Sequence, residues 1–283
     1  MLFMEQSIVE MKKIAPKVIT IGNYKGGAGK TTNAVMIGYV LSTLGIKTLV
    51  VDMDPQSNAT KSLMLTRSAN NEGAVPAINK TLMAGIEQAS FVDLPVEIIP
   101  NLSLIPSFID FEDFPKYIYQ NITDEYKQDF LVKGLLDEIK SDYDIIIIDV
   151  PPMSKEVTKN AIIASDYVLI SLQTQERSLT GAESYVKELI SLMKKYDLNL
   201  DLLGILQVLH KNNGKVDQYI MDKAIESFDG DNIFNTVVPQ MERLKRFDVN
   251  GITNKDLHDK KVITKYTEVV QEFIDRLIAM EGE

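Results

Sequence analysis

Residues 17–44 place a glycine-rich segment between an apolar run and a helical pattern, and this order constrains the fold most strongly. The apolar run is Val18–Ile21, the glycine-rich segment is NYKGGAGKTT at residues 23–32, and the helical pattern covers about Lys30–Leu44. Glycine lets the backbone turn tightly and approach an anion without a Cβ clash. The N–H groups of such a loop, and of the helix N-terminus after it, then point at phosphate oxygens. The segment therefore predicts a strand, a phosphate-binding turn and a helix.

Further apolar runs recur along the chain, with helical stretches between them. Several runs do not alternate with polar residues, as expected for strands buried on both faces of a parallel sheet. The predicted strands are Val18–Ile21, Thr48–Val51, Leu102–Ile105, Ile145–Ile148, Tyr167–Leu172, Leu202–Leu209 and Ile233–Val238. The predicted helices cover about Lys30–Leu44, Asp124–Lys140, Leu179–Tyr196, Lys215–Phe228 and Ile263–Met280. This alternation predicts an α/β fold, a mostly parallel twisted sheet with helices on both faces.

The domain organisation follows from length and composition. The chain has 283 residues, of which 45% are hydrophobic and 25% charged, so a sizeable core is possible. We expect one domain over residues 17–283. The N-terminal extension at residues 1–16 is too short to fold as a separate domain. The segment TRSANNEGAVP at residues 66–76 predicts a surface loop.

Composition also excludes several kinds of site. The chain has no cysteine, so disulfides, thiolate metal sites and cysteine nucleophiles are excluded. Its two histidines, His210 and His258, argue against a site with several histidine ligands. The N-terminus lacks a signal-peptide pattern, and no apolar run is long enough to span a bilayer. We therefore expect a cytoplasmic protein.

The glycine-rich segment ends in residues whose side chains can bind a nucleoside triphosphate and its Mg²⁺. Lys30 would reach the β- and γ-phosphates, and Thr31 would offer its hydroxyl to Mg²⁺. A glycine-rich turn that binds nothing is the alternative, but this spacing between a strand and a helix favours the binding site. The predicted cofactor-binding residues of the loop are Gly26, Gly27, Ala28, Gly29, Lys30, Thr31 and Thr32.

Three carboxylates follow two of the predicted strands. Asp52 and Asp54 come at the end of the second strand, and Asp149 ends the apolar run IIIID. Ligands of open α/β sheets bind at the carboxyl ends of the strands, so these acids and the loop would meet there. Asp149 fits a carboxylate that holds Mg²⁺, directly or through water. The sequence leaves open which of Asp52 and Asp54 supports the metal and which positions water, or whether one only forms the turn before Pro55.

Three motifs resemble those of a known family. KGGAGKTT, VVDMDPQSNAT and IIIIDVPP resemble the deviant Walker A, A′ and B motifs of the ParA/MinD branch of P-loop ATPases. The resemblance extends from about residue 17 to the C-terminus, and DPQSNAT is similar to ParA partition proteins in particular. Without a helix-turn-helix domain before the loop, the chain resembles the short ParA class, including the delta-type proteins of Gram-positive plasmids. The resemblance implies an ATPase that uses ATP and Mg²⁺, is weak alone and is stimulated by a partner.

The resemblance assigns roles to the motif residues. It implies that Lys25 reaches across a nucleotide-sandwich homodimer to the phosphates on the other subunit. It implies that Asp54 positions the attacking water, that Asp149 is the Walker B acid, and that Asp52 supports the metal site. The usual phosphate-binding pattern has glycine five residues before Gly29, where this chain has Tyr24. In ParA proteins this position is often not glycine, so Tyr24 fits the family.

Other implied contacts lie near the C-terminal end. Val238–Pro239 resembles the segment that packs on adenine, with Pro239 as the contact. An arginine at the position of Arg243 contributes to DNA binding in ParA proteins. The predicted DNA-binding residues are Arg243, Lys245 and Arg246, with Lys211 and Lys215 as a second patch. The net charge of −10 confines DNA binding to a local patch and predicts strong salt sensitivity.

The most specific functional hypothesis is therefore a plasmid or chromosome partition ATPase. It would bind non-specific double-stranded DNA when ATP-bound, associate with the nucleoid, and be released when a centromere-binding ParB-like protein stimulates hydrolysis. The alternative is a MinD-like membrane- or cargo-positioning ATPase. Its lipid-binding helix would need cations, but the polar face of the C-terminal helix carries mostly acids, and the apolar stripe of that helix is better interpreted as core packing. Iron–sulfur relatives need cysteine, and a repressor would need a helix-turn-helix.

Overall fold

The computed structural model describes residues 2–71, 77–209 and 214–282. The strands in these residues are β1 (Lys17–Gly22), β2 (Thr48–Asp52), β3 (Val96–Ile99), β4 (Leu102–Ile105), β5 (Ile145–Asp149), β6 (Tyr167–Gln173) and β7 (Asp201–Val208). They form one sheet in the order β3-β4-β2-β5-β1-β6-β7. Neighbouring strands are parallel except for β3, which pairs antiparallel with β4 at one edge. The predicted mostly parallel α/β fold is confirmed.

Helices cover both faces of this sheet. They are α1 (Leu2–Ile14), α2 (Lys30–Thr43), α3 (Asn58–Asn70), α4 (Leu82–Glu87), α5 (Phe114–Asn121), α6 (Glu125–Asp129), α7 (Leu131–Asp137), α8 (Lys155–Ala164), α9 (Glu176–Tyr196), α10 (Lys215–Phe228), α11 (Glu242–Asn250) and α12 (Leu257–Glu281). Short 3₁₀ turns occur at Ile109–Asp113, Lys140–Asp142 and Gly230–Asn232. In the described part of the chain, no helix is both long and apolar enough to cross a membrane.

The isoleucine run of β5 shows why the sheet lies between two helical layers. Successive side chains of a strand point to opposite faces. Ile145 and Ile147 pack into the cluster that contains α2 and α12, whereas Ile146 and Ile148 pack into the cluster that contains α7 and α8. Each such buried side chain contributes roughly 2 kcal/mol relative to exposure. A strand that is apolar at every position is therefore stable only with cover on both faces.

The register of the central strands brings the candidate acids together. Asp52 at the end of β2 is the direct neighbour of Asp149 at the end of β5. Ile21 of β1 pairs with Asp149 from the other side, and the glycine-rich segment starts just after Gly22. The carboxyl ends of three adjacent parallel strands therefore place both acids beside the loop.

Several predicted boundaries are wrong. Ile233–Val238 is not a strand, because only Ile233 and Val238 make isolated bridges, both to β7. The predicted helix Asp124–Lys140 is interrupted at Phe130, which separates α6 from α7. The loop predicted at residues 66–76 is helical up to Asn70, and its residues 72–76 lie outside the described residues. The edge strand β3 was not predicted because VEII is short and partly exposed.

The N-terminal extension forms a helix that packs on α12. Met11 of α1 is fully buried in the core cluster that includes α12. The Ser7 hydroxyl donates a hydrogen bond to Asp275, and Lys12 donates to the Gly45 carbonyl at 2.7 Å. The C-terminal apolar stripe packs inward, as interpreted from the sequence. Its buried members are Val269, Val270, Phe273 and Leu277.

Candidate nucleotide-binding site

The glycine-rich loop connects β1 to α2 through two left-handed residues. Gly27 has φ of 76° and Gly29 has φ of 89°, in the region that favours glycine. Gly29 caps α2, so the free N–H groups of the helix N-terminus open onto the loop. This backbone shape is the one expected of a phosphate-binding loop.

Asn23 holds the start of the loop in place. Its side-chain nitrogen donates to the Ser171 carbonyl at 2.9 Å and to the Ser178 carbonyl at 3.1 Å. Its side-chain oxygen accepts the N–H of Lys25 at 2.8 Å. One buried amide therefore ties the loop to β6 and to the first turn of α9. Asn23 was missed as a site residue because its partners are nearly 150 residues away in sequence.

Gly181 lets α9 approach the loop closely. A Cβ atom at this position would lie 2.5 Å from the side-chain oxygen of Asn23 and 3.0 Å from the Lys25 nitrogen. Real Cβ contacts under 3.0 Å essentially do not occur. A glycine inside a helical pattern was the available signal for this contact.

Lys30 lies in the concavity of the loop. The side chain is buried, and its ammonium group donates to the Lys25 carbonyl at 3.3 Å. Burial lowers the pKa of Lys30, while the nearby Asp149 and Asp54 oppose this shift. The site thus holds a largely desolvated cation that a phosphate can neutralise.

Lys25 occupies the outer side of the loop. Its ammonium group donates to the Gly26 carbonyl at 2.7 Å, so the side chain folds back over its own loop. Lys25 also lines a cleft of about 520 Å³ with Tyr24, Met153 and Arg177. Met153 is 83% exposed although it is a large apolar side chain. This side of the loop is an open surface with apolar and cationic character.

The acids after β2 have different surroundings. Asp52 is fully buried and accepts hydrogen bonds from the N–H and the hydroxyl of Thr60 and from the N–H of Asp54. Burial raises the pKa of Asp52 to about 6, against these hydrogen bonds. Asp54 accepts the N–H of Gln56 and lines a cleft of about 330 Å³ with Pro151. Asp52 is thus fixed by the protein, and Asp54 faces a space that solvent can enter.

Asp149 differs from Asp52 in how its carboxylate is surrounded. Both carboxylate oxygens are buried, and neither accepts a hydrogen bond of normal geometry from the described residues. Burial raises the pKa of Asp149 well above its ordinary value, and the adjacent Asp52 adds to the shift. The Thr31 hydroxyl and Lys30 oppose it. An orphaned carboxylate beside a hydroxyl and a buried cation suits a cation that bridges to phosphate.

These residues fit Mg²⁺ held together with phosphates. In the described residues, no group of three histidine, cysteine or acidic side chains is arranged to hold a metal alone. Mg²⁺ is usually bound through one or two protein oxygens, with phosphates and water completing its shell. Asp149 and Thr31 would supply those protein oxygens.

The predicted adenine contact lies at the same edge of the sheet. Val238 exchanges backbone hydrogen bonds with the end of β7, and the half-buried Pro239 follows it. A Cβ atom on Gly29 would lie 3.6 Å from the Val208 side chain, so this end of β7 adjoins the loop. Pro239 therefore follows a residue that is hydrogen-bonded to the end of β7, the strand end that adjoins the loop.

The predicted DNA-binding arginine is already paired within the chain. Arg243 at the start of α11 forms ion pairs with Asp256 and, at 2.6 Å, with Asp259. Its side chain is 13% exposed, and that of Asp259 is 2% exposed. Hydrogen bonds from Thr253 and Lys255, with Arg243, outweigh burial and lower the pKa of Asp259. In this conformation the ion pairs of Arg243 connect α11 to the start of α12.

The other predicted cations differ from Arg243. Arg246 and Lys215 are exposed, and Lys245 pairs with the exposed Glu242 of its own helix. Lys211 lies outside the described residues. Arg246, Lys245 and Lys215 are thus available to solvent.

A large cleft in the described part of the chain lies away from this site. It measures about 1080 Å³ and lies between α1 and α12, with Ser7 and Gln271 in its wall. The loop, the orphaned acid and the perturbed pKa values are elsewhere, so chemistry and not cleft size identifies the site.

Comparisons with known proteins agree with this geometry. A family model described as an AAA domain matches residues 16–202, which is more than half of the chain. The chromosome-partitioning ATPase Soj of Treponema pallidum is 30% identical over 236 residues, covering 83% of this chain and 88% of that protein. The sporulation initiation inhibitor protein Soj of Bacillus subtilis is 32% identical over 238 residues, with the same coverage.

Solved structures share the fold. McdA of Cyanothece, without ligand, matches with a TM-score of 0.77 at 23% identity, covering 92% of this chain and 99% of that one. A plasmid partition protein of Borrelia burgdorferi bound to AMPPNP matches with a TM-score of 0.72 at 24% identity, again covering 92% and 99%. The predicted ATPase identity is confirmed by the curated relatives and the family model. The chain therefore belongs to the ParA/Soj family of P-loop ATPases with a deviant Walker A motif.

Proposed function

We propose that this ATPase partitions plasmid or chromosomal DNA, with Mg²⁺ and ATP as the switch that controls DNA binding. The observation that carries the nucleotide site is Asp149, whose two buried oxygens accept no hydrogen bond of normal geometry from the described residues and lie near Lys30. The partition role is supported by two relatives, the chromosome-partitioning ATPase Soj of Treponema pallidum and the chromosome partitioning protein ParA of Caulobacter vibrioides.

Each residue of the site has a defined part in this proposal. The loop N–H groups and Lys30 bind the phosphates, and Pro239 contacts the base. Thr31 and Asp149 hold Mg²⁺, with Asp52 supporting Asp149 from the adjacent strand. Held there, Mg²⁺ would offset the negative charge of the phosphates. Structural neighbours solved with ATP, or with ADP and magnesium, support this cofactor set.

Asp54 positions the attacking water in this proposal. Its carboxylate faces the cleft beside Pro151, where a water molecule has room to approach. As the water attacks the γ-phosphorus, the bond to the β–γ bridging oxygen breaks and ADP leaves. Asp54→Ala should therefore bind ATP with near wild-type affinity but fail to hydrolyse it. Equal hydrolysis rates for Asp54→Ala and wild type would contradict this role.

Lys25 completes the site of a second subunit in a nucleotide-sandwich dimer. Its ammonium group donates to the Gly26 carbonyl of its own loop, a contact easily exchanged for a phosphate. A cation from the partner would offset γ-phosphate charge as an arginine finger does. Lys25→Ala should bind ATP, fail to form the ATP-dependent dimer and lose hydrolysis. Light scattering with ATP tests this, and Lys194→Ala, at the far end of α9, is the matched control.

DNA binding is proposed for the exposed cations of α11 and α10. Arg246, Lys245 and Lys215 are available, whereas Arg243 would first have to leave two carboxylates. Removing one phosphate contact should lower the slope of log affinity against log salt by about 1. Arg246→Ala is expected to do so, and Lys194→Ala is not. An unchanged slope for Arg246→Ala would remove it from the DNA surface.

The experiment that tests the function is binding to random-sequence duplex DNA. Wild type and Asp54→Ala are each measured without nucleotide, with ADP, and with ATP and Mg²⁺. Binding only with ATP, persisting in Asp54→Ala, supports the partition role and nucleoid association. A centromere-binding ParB-like protein should then stimulate hydrolysis and release the DNA. No DNA binding in any state would contradict the proposal and favour a cargo- or membrane-positioning ATPase.

A further inference from the structure

A buried chain of three hydrogen bonds links the last helix to the glycine-rich loop. The Tyr266 hydroxyl of α12 contacts the Asn33 side-chain oxygen at 2.8 Å. The Asn33 side-chain nitrogen contacts the Ser171 hydroxyl at 2.8 Å, and this hydroxyl contacts the Ala28 carbonyl at 2.6 Å. All four residues are buried. The chain joins four elements, namely α12, α2, β6 and the loop.

The donor and the acceptor of each of these three hydrogen bonds can be assigned. The Ala28 carbonyl only accepts, so the Ser171 hydroxyl must donate its proton there. Ser171 then accepts from Asn33, which requires the amide nitrogen on that side. The Asn33 oxygen consequently faces Tyr266, whose hydroxyl must donate. Reversing the Asn33 amide would direct the Ser171 proton to Asn33 and leave the Ala28 carbonyl without it.

The last bond in the chain sets the direction of a loop N–H. In a trans peptide, the carbonyl and the following N–H point in opposite directions. Ser171 draws the Ala28 carbonyl toward the sheet, so the Gly29 N–H points away from the sheet. Gly29 also has φ of 89°, and its own carbonyl accepts the Asn33 N–H that starts the regular bonding of α2. The orientation of one peptide unit therefore depends on Ser171.

We propose that Ser171, Asn33 and Tyr266 are positioning residues for phosphate binding. They hold the Ala28–Gly29 peptide so that the Gly29 N–H is preset to donate to a nucleotide phosphate. Tyr266 acts through Asn33, and Asn33 acts through Ser171. The packing of α12 thus contributes to nucleotide affinity, although this helix lies outside the nucleotide motifs. This inference rests on the proposed nucleotide site in the loop.

The test is the affinity for ADP, and for ATP with Mg²⁺, measured by calorimetry on the full chain. Ser171→Ala and Tyr266→Phe each remove one hydroxyl and keep the remaining side-chain shape. Tyr185→Phe is the matched control, because the Tyr185 hydroxyl is also buried but has no hydrogen-bond partner in the described residues. Thermal unfolding without nucleotide is recorded for every variant.

We expect Ser171→Ala and Tyr266→Phe each to weaken nucleotide binding about fivefold to tenfold, as for loss of one hydrogen bond. Tyr185→Phe should bind as wild type does. The double variant should bind no more weakly than Ser171→Ala, because Tyr266 acts through Ser171. If the affinity loss of the double variant equals the product of the two single losses, Tyr266 does not act through Ser171.

Two results separate the possible failures. If wild type binds nucleotide and both single variants bind equally well, with changes only in melting temperature, the residues are structural and the inference is wrong. If wild type binds neither nucleotide, the proposed site itself fails. If Ser171→Ala does not fold, Tyr266→Phe against Tyr185→Phe still decides the inference.

Discussion

A single methyl group on α9 should disturb the nucleotide loop from outside it. Gly181→Ala would place a Cβ atom 2.5 Å from the Asn23 side-chain oxygen, at least half an ångström closer than real Cβ contacts. The Asn23 amide cannot swing away freely, because it is held by Ser171, Ser178 and Lys25. Either α9 or the loop must therefore move.

The magnitude follows from two opposing effects. Overpacking at a rigid contact costs about 1–3 kcal/mol, whereas replacing a helical glycine by alanine returns up to about 1 kcal/mol. Gly134 in α7 provides the matched control, since a Cβ atom there would meet nothing within 4 Å. Gly134→Ala should gain roughly 0.5–1 kcal/mol, and Gly181→Ala should lose roughly 1–2 kcal/mol.

The assay combines urea unfolding with nucleotide titration. For a chain of this size, 1 kcal/mol corresponds to roughly 2 °C in melting temperature. Gly181→Ala should also weaken ATP binding, because the displaced Asn23 no longer fixes the Lys25 N–H; Gly134→Ala should bind ATP normally. A Gly181→Ala protein as stable as Gly134→Ala, with wild-type affinity, would refute the reasoning.

Three further predictions concern buried charges. Asp149→Asn should abolish the dependence of ATP affinity on Mg²⁺ without lowering stability at pH 7, because it removes a buried carboxylate that accepts no hydrogen bond of normal geometry from the described residues; titrations with and without Mg²⁺, and urea unfolding, check both parts. Arg243→Ala should lower the free energy of unfolding by roughly 3 kcal/mol, because Asp259 stays buried without its cation; a loss below about 0.5 kcal/mol would contradict this. The carboxyl of Asp52 should titrate near pH 6 by carbon-13 NMR. Because the folded state prefers its protonated form, the contribution of Asp52 to stability should fall by roughly 3 kcal/mol between about pH 4 and pH 6 and stay constant above. A titration midpoint of Asp52 near pH 4 would contradict this prediction.

The sequence was sufficient for features that depend on local pattern. The run IIIID predicted a strand buried on both faces, and the glycine spacing predicted a turn into a helix. Parallel topology then implied that Asp52 and Asp149 meet at one edge, and the register pairs them directly. These predictions succeeded because the alternation of side chains along a strand, and the residues that form a turn, depend only on neighbouring positions in the sequence.

Contacts between segments that are far apart in the chain could not be predicted from the sequence. Asn23 and Ser171 hold the loop through hydrogen bonds that span 148 and 143 residues. Arg243 was considered only as a surface cation, because its pairing with Asp256 and Asp259 depends on how α11 meets α12. The apolar run Ile233–Val238 was mistaken for a strand because composition does not show that it touches β7 only at its two ends.

The most direct test of the central claim is the equilibrium binding of ATP in the presence of Mg²⁺, measured for wild type and Lys30→Ala. Lys194→Ala serves as the control for loss of a surface charge. The account predicts binding by wild type and Lys194→Ala, and loss of binding by Lys30→Ala, because Lys30 is the buried cation near Asp149 and Asp54, whereas the Lys25 ammonium group folds back onto its own loop. Equal binding by Lys30→Ala and wild type, or no binding by wild type, would contradict it.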